Sequence, residues 1–99
     1  MSMDRLVRED ARLVILRALS EQNDETLNSS IMVEVLRQYG IKRDRAWLHG
    51  ELDWLRDMGA VTLTDAGSVK IATLTEKGGR HLAREIAIEG VKRPQRPEA

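Results

Sequence analysis

The sequence predicts one small domain that is mainly α-helical with a single β-hairpin, in the order α-α-α-β-β-α. Its 99 residues, of which 41% are hydrophobic, suffice for one buried core but not for two. Apolar residues recur every three or four positions before residue 60 and then alternate between residues 61 and 74, which favours helices followed by strands. Gly40 and Gly59 follow two of the helical stretches, as glycine commonly does where a helix ends.

The first helix is predicted over residues 4–21, where apolar residues form a stripe along one side. Leu13, Leu16 and Leu19 leave that stripe and point to other sides of the helix. Two interpretations stay open: a central helix covered by its neighbours, or a helix that also packs against a second copy. The residues assigned to such a homodimer interface are Leu6, Leu13, Leu16, Leu19 and Ile86.

A polar loop over residues 22–28 precedes the second helix, which Asn28 or Ser29 can cap by accepting hydrogen bonds from free amide groups. That helix ends at Gly40, and a third helix follows at residues 43–58. The sequence therefore predicts two helices joined by a tight turn.

The spacing then changes, and residues 61–64 and 69–74 are predicted as the two strands of a hairpin. Thr75 is expected to cap a fourth helix, whose inward-facing residues continue to Ile86 and Ile88. The domain is predicted over residues 1–89. Residues 90–99, with two prolines and no apolar pattern, are predicted as an extended, mobile, basic tail.

Helix, helix–turn–helix, β-hairpin and helix follow one another in the order of a winged helix. Residues 52–61, LDWLRDMGAV, resemble the end of the recognition helix in bacterial winged-helix regulators. Residues 74–78, LTEKG, resemble the segment that opens the last helix in MarR- and ArsR-like proteins. With GVKRP at residues 90–94, the whole chain resembles the small winged-helix proteins of Mu-like transposable phages. The resemblance implies a winged helix-turn-helix fold and a role as a phage transcriptional regulator or an accessory factor in phage DNA metabolism.

The outward side of the third helix is the candidate DNA-binding surface. On a helical wheel Arg45, His49 and Arg56 lie opposite the apolar seam, and in a DNA-reading winged helix that side enters the major groove. Arginine pairs well with guanine there, and cations at the start of the helix can hold a phosphate. The residues assigned to duplex DNA are Lys42, Arg43, Arg45, His49, Arg56, Lys70, Lys92 and Arg93.

Charge also supports an alternative, a protein-interaction adaptor that does not bind DNA. The chain has 16 basic and 16 acidic residues, so no overall positive field attracts phosphate. Asp53 and Asp57 lie on or beside the outward side of the third helix, and Asp65 lies at the tip of the hairpin. An adaptor would bind another phage or host protein through the first helix or through Trp47 and Trp54.

The two tryptophans are seven residues apart and share one edge of the third helix. We favour a place for them in the core or at a subunit contact over an exposed binding patch, since burying large rings stabilises strongly. Glu51 lies in the same arc, where we expect it at a wet boundary or paired with an arginine.

No chemistry of an enzyme is predicted, and no cofactor. The chain has no cysteine, which excludes thiolate catalysis and thiolate metal sites. His49 with Asp53 and Asp57, and His81 with Glu85, have the spacing of metal ligands, but exposed ion pairs on a helix explain that spacing more simply.

No membrane association is predicted. The longest uninterrupted apolar run is LVIL at residues 13–16, far short of the roughly 20 residues that a membrane span needs. The chain opens MSMD with no apolar signal segment, so we expect a cytoplasmic protein of the bacterial host cell.

Overall fold

A computed structural model describes residues 2–96, which form four helices and one three-stranded antiparallel sheet. Within these residues no helix combines the length and the apolar character needed to cross a membrane. The elements in chain order are α1 (Met3–Ser20), β1 (Thr26–Asn28), α2 (Ser29–Gln38), α3 (Arg45–Asp57), β2 (Val61–Ala66), β3 (Val69–Leu74) and α4 (Glu76–Leu82).

Each helix begins at a side chain that accepts a hydrogen bond from a free amide of the first turn. The caps are Ser2, Asn28, Asp44 and Thr75. Asn28, and not Ser29, caps α2, and Asp44 starts α3 later than predicted because its carboxylate accepts from the amide of Trp47.

The sheet differs from the predicted hairpin by one strand. β2 and β3 pair from Val61↔Leu74 to Ala66↔Val69, as expected for the hairpin, and β1 pairs with the other edge of β3. Residues 26–28 were predicted as loop, because three residues are too few to show alternation. The partner that makes them a strand comes more than forty residues later, at Thr73 and its neighbours. The observed order is therefore α-β-α-α-β-β-α.

The first helix is the centre of the core. Leu16 and Leu19 are fully buried and Leu13 is 5% exposed, all within one protomer, because α2, α3, α4 and the sheet surround the helix. The assignment of these three leucines to a homodimer interface is therefore wrong. The homodimer itself stays a prediction. Of the residues assigned to its interface, Leu6, which is 44% exposed, and the half-buried Ile86 remain accessible to a second copy.

The last helix is shorter than predicted, and the residues after it are not a mobile tail. α4 ends at Leu82, and Arg84 adopts a left-handed conformation (φ 62°) that stops the helix. The chain then folds back over the domain, so that Val91 and Pro94 are buried. A boundary at residue 90 is therefore wrong for residues 90–96, and the rest of the predicted tail lies outside the described residues.

His81 fastens this C-terminal segment. Its ring is fully buried; Nδ1 accepts from the amide of Ile88 at 3.0 Å, and Nε2 lies 3.0 Å from the carbonyl of Lys92, to which it donates. The amide of Lys92 in turn donates to the carbonyl of Glu9 on α1. The exposed ion pair that the sequence suggested for His81 and Glu85 is therefore wrong: the histidine is a buried crosslink, and Glu85 pairs with Arg80.

The LTEKG segment joins the end of α3 to the start of α4. Thr75 donates its hydroxyl to the carbonyl of Gly59 at 2.6 Å, and Lys77 donates to the carbonyl of Met58 at 2.7 Å. Gly78 lies against the carbonyl of Ala60, where no side chain fits. These contacts place the hairpin and α3 in a fixed relation.

Candidate nucleic-acid interface

The third helix turns a polar side to solvent because its apolar side packs in the core. Leu48, Leu52 and Leu55 are fully buried. On the opposite side Arg45 and Arg56 are exposed and His49 and Asp53 are half-buried. The predicted DNA-binding side of α3 is therefore accessible.

Cations without carboxylate partners gather at the N-terminal end of α3. Lys42, Arg43 and Arg45 are exposed, and among residues 2–96 no carboxylate oxygen lies within 4 Å of their nitrogens. The guanidinium carbon of Arg43 lies 5.1 Å from the ring centre of Trp47, within the range of a cation–π contact. This end of the helix can therefore meet an anion.

In the C-terminal half of the same side, the cations are paired with carboxylates. Arg56 lies 3.4 Å from Asp53 and 3.3 Å from Asp57. Lys70 on β3 lies 3.7 Å from the same oxygen of Asp53 and 3.1 Å from Asp65. The hydrogen bond that the ammonium of Lys70 donates to Asp65 raises the pKa of Lys70 above its usual value, so the ammonium is held against the carboxylates. Arg56 and Lys70, both predicted to bind DNA, are thus surrounded by acidic groups.

His49 is tied to two other elements. Its Nε2 lies 2.8 Å from the hydroxyl oxygen of Ser29, the fully buried first residue of α2. The same oxygen accepts the amide hydrogen of Lys70 at 3.0 Å. Burial first, and then the charges of Lys70 and Arg45, lower the pKa of His49 below its usual value of 6.5. The ring is therefore neutral at pH 7.

Lys92 and Arg93 belong to the C-terminal segment and lie against α1 and the C-terminal end of α2. The ammonium of Lys92 is 3.7 Å from Asp10, and both cations line a cavity of about 300 Å³ against α1 and Tyr39. The sequence could not place them, because the fold-back of residues 90–96 depends on contacts with α1 and His81. Seven of the eight predicted DNA contacts thus fall into three groups, and His49 stands apart from them. The first group is the cluster at the start of α3, which has no carboxylate partner among residues 2–96.

The edge of α3 that carries the tryptophans packs against other residues of the same protomer. Trp54 is half-buried, and the guanidinium carbon of Arg12 lies 3.7 Å from its ring centre. Arg12 also donates to Glu51 at 2.8 Å, and both are buried. Of the two alternatives expected for Glu51, the pairing with an arginine is the one confirmed. Trp47 and Trp54 pack against the core, as favoured.

Sequence reasoning missed Arg12. It lies in the first helix beside apolar residues, and its only signal was a charge adjoining the otherwise apolar segment 13–16. Among the described residues no group of three or more histidine, aspartate or glutamate side chains is placed to hold a metal ion.

Comparison with known proteins finds relatives in a phage and a bacterium. The chain is 38% identical over 94 residues to the protein gp26 of Escherichia phage Mu, and the aligned region covers 95% of this chain and 96% of gp26. It is also 38% identical over 63 residues to a protein of Haemophilus influenzae, covering 64% of this chain and 61% of that protein. Neither relative's name states a function. No family model matches the chain, and no solved structure matches it significantly.

Proposed function

Since the chain belongs to the family of the phage Mu protein gp26, we propose that it is a phage winged-helix protein that binds duplex DNA, as a transcriptional regulator or an accessory factor in phage DNA metabolism. The order of α2, a tight turn, α3 and the hairpin supports a winged helix related to the ArsR- and MarR-like regulators. The pairing of β1 with the hairpin adds to that support, because it joins the wing to the start of α2.

The observation that carries the proposal is the cluster of unpaired cations at the N-terminal end of α3. Lys42, Arg43 and Arg45 are exposed and have no carboxylate partner in the described part of the chain. In helix-turn-helix proteins the N-terminal residues of the recognition helix contact base edges, and nearby cations hold phosphates. We assign Arg45 to the major groove and Lys42 and Arg43 to the phosphate backbone.

The contact is narrower than the whole polar side of α3. Arg56 and Lys70 are already neutralised by Asp53, Asp57 and Asp65, so they add little attraction for phosphate. We therefore place the DNA at the start of α3 and not along its full length.

Binding of a fluorescent duplex at several salt concentrations tests the proposal. Two phosphate contacts, made by Lys42 and Arg43, would give a slope of log K against log salt of about −1.8. The double variant Arg43→Ala/Arg45→Ala should lose most of the affinity and flatten the slope. Arg5→Ala/Arg80→Ala removes the same charge from residues paired with Glu9 and Glu85, and should bind as the unaltered protein does. If no duplex binds even at low salt, the proposal is refuted.

A second candidate, the protein-interaction adaptor, is favoured by the acidic half of the same surface. The alternating charges of Asp53, Arg56, Asp57, Lys70 and Asp65 suit a polar protein partner better than phosphate. It would be supported if no duplex binds and if a purified phage protein binds in a manner that Asp65→Lys abolishes.

A further inference from the structure

The hydroxyl of Ser29 decides which nitrogen of His49 carries hydrogen. A serine hydroxyl has one hydrogen to donate and two lone pairs. One lone pair of Ser29 accepts the amide hydrogen of Lys70, and the other hydrogen-bond partner of this hydroxyl in the described chain is Nε2 of His49. Ser29 is fully buried, so water does not take the hydroxyl hydrogen.

Only one arrangement satisfies all of these groups. If Nε2 carried a hydrogen, the Ser29 hydroxyl would be left buried without an acceptor, which costs about 1–3 kcal/mol. Nε2 is therefore the acceptor, and the single hydrogen of the neutral ring is on Nδ1. The lowered pKa of His49 agrees with a ring that does not bind a second proton.

Nδ1 faces the solvent on the outer side of α3. Within residues 2–96 it has no hydrogen-bond partner, and it is not among the buried polar atoms that lack one. His49 lies one turn after Arg45, which we assign to the major groove. The ring is thus a single donor held in a fixed direction by α2 and β3.

A fixed single donor in the major groove discriminates between bases. Guanine presents two neighbouring acceptors, N7 and O6, whereas the acceptor of adenine lies beside an amino group, that of thymine lies beside a methyl group, and cytosine presents only an amino group. We propose that His49 is a specificity-determining residue whose Nδ1–H donates to a guanine and that Ser29 and the hairpin position it. This inference rests on the proposed DNA binding.

The hydrogen position is tested first on the free protein. In a ¹⁵N-labelled sample at pH 7.5, two-bond ¹H–¹⁵N correlation spectra should show an unprotonated Nε2 and a protonated Nδ1 for His49. Ser29→Ala should give a mixture of both forms. A spectrum of the unaltered protein in which Nε2 carries the hydrogen, or in which the ring is doubly protonated, would overturn the inference whatever the DNA result.

Base preference is tested by selection from a duplex library with randomised positions. The unaltered protein should select guanine at one position, and His49→Ala should lose that preference about tenfold while keeping the slope of affinity against salt. Lys42→Ala should weaken binding to all sequences and reduce the slope by about one. If His49→Ala selects the same sequences as the unaltered protein, this inference alone is overturned. If the unaltered protein binds no duplex, the proposed function is overturned as well.

Discussion

At the scale of single residues, Arg12 joins three parts of the molecule. From α1 it donates to Glu51 on α3 and to the carbonyl of Gly90 in the C-terminal segment, and its guanidinium lies over Trp54. A buried charge is tolerated only where it is paired and hydrogen-bonded, and Arg12 meets both conditions. The residue therefore links α1, α3 and the C-terminal segment through one buried side chain.

Removing the carboxylate of this pair should be costly. Glu51→Ala leaves the Arg12 charge buried without its main partner, and we expect a loss of about 3–5 kcal/mol in the free energy of unfolding, measured with urea. The double variant Arg12→Met/Glu51→Leu should lose less, because neither charge stays buried. If Glu51→Ala unfolds at the same urea concentration as the unaltered protein, the Arg12–Glu51 pair is not buried in the folded protein.

His49 should give the stability a dependence on pH. Its pKa in the folded protein is below 6.5, so the unfolded chain binds the proton more readily and acid favours unfolding. The stabilisation by neutral His49 is present above pH 6.5 and is lost as the pH falls through the folded-state value. Urea unfolding at pH 7.5 and pH 5 should show a smaller loss in His49→Gln than in the unaltered protein; equal losses would contradict the lowered pKa.

At the scale of elements, the junction between α3, the hairpin and α4 sets the geometry of the interface. Gly78 lies where a methyl group would contact the carbonyl of Ala60 and come within 2.7 Å of Leu74 Cδ1. Gly79, the next residue, has only Leu74 at 4.0 Å from such a methyl group. The first glycine is required by close packing and the second is not.

Two alanine substitutions separate these cases. Gly78→Ala should destabilise by about 1–3 kcal/mol or more, because Ala60 contributes backbone that cannot move aside cheaply. Gly79→Ala should be neutral or stabilise by about 0.4–1 kcal/mol, since it reduces the freedom of the unfolded chain. Thermal unfolding of both variants measures the difference, and equal melting temperatures would contradict it.

At the scale of the whole molecule, the C-terminal segment is part of the domain. Val91 and Pro94 are buried, Arg84 donates to the carbonyl of Pro94, and His81 binds the backbone at both ends of residues 88–92. The cations of this segment are therefore held at α1 and do not trail freely toward the start of α3.

Ending the chain after Glu89 should therefore destabilise the whole domain. The truncation removes the buried Val91 and the acceptors of Arg12 and His81, and we expect a loss of at least about 3 kcal/mol. Gln95→Ala, on an exposed residue of the same segment, should change stability by less than about 0.5 kcal/mol. Urea unfolding measures both, and a truncated chain as stable as the full one would indicate that the segment only rests on the surface.

Local patterns sufficed for α1, α2, α3 and the β2–β3 hairpin, because helical spacing, caps and turn residues are written within a few positions of each other. They failed for β1, for the end of α4 and for residues 90–96. β1 and residues 90–96 depend on partners far along the chain, Thr73 and the backbone of α1, whereas α4 ends early because Arg84 turns left-handed and the residues after it fold back onto His81. The candidate site was anticipated in part. Arg45 and His49 share the outward side of α3, but the anchoring of His49 by Ser29 left no trace in the sequence.

The sequence by itself determined α1, α2, α3 and the β2–β3 hairpin, the accessible side of the third helix and the absence of a net charge. Only the tertiary structure decided which cations are available to an anion. Neutralisation depends on distances of a few ångströms between residues far apart in the chain, as where Lys70 of the hairpin meets Asp53 of α3. By the same rule Lys42, Arg43 and Arg45 stay unpaired within the described chain, because the carboxylate of Asp44 at the start of α3 accepts from the amide of Trp47 and no carboxylate oxygen among residues 2–96 lies within 4 Å of the nitrogens of the three cations.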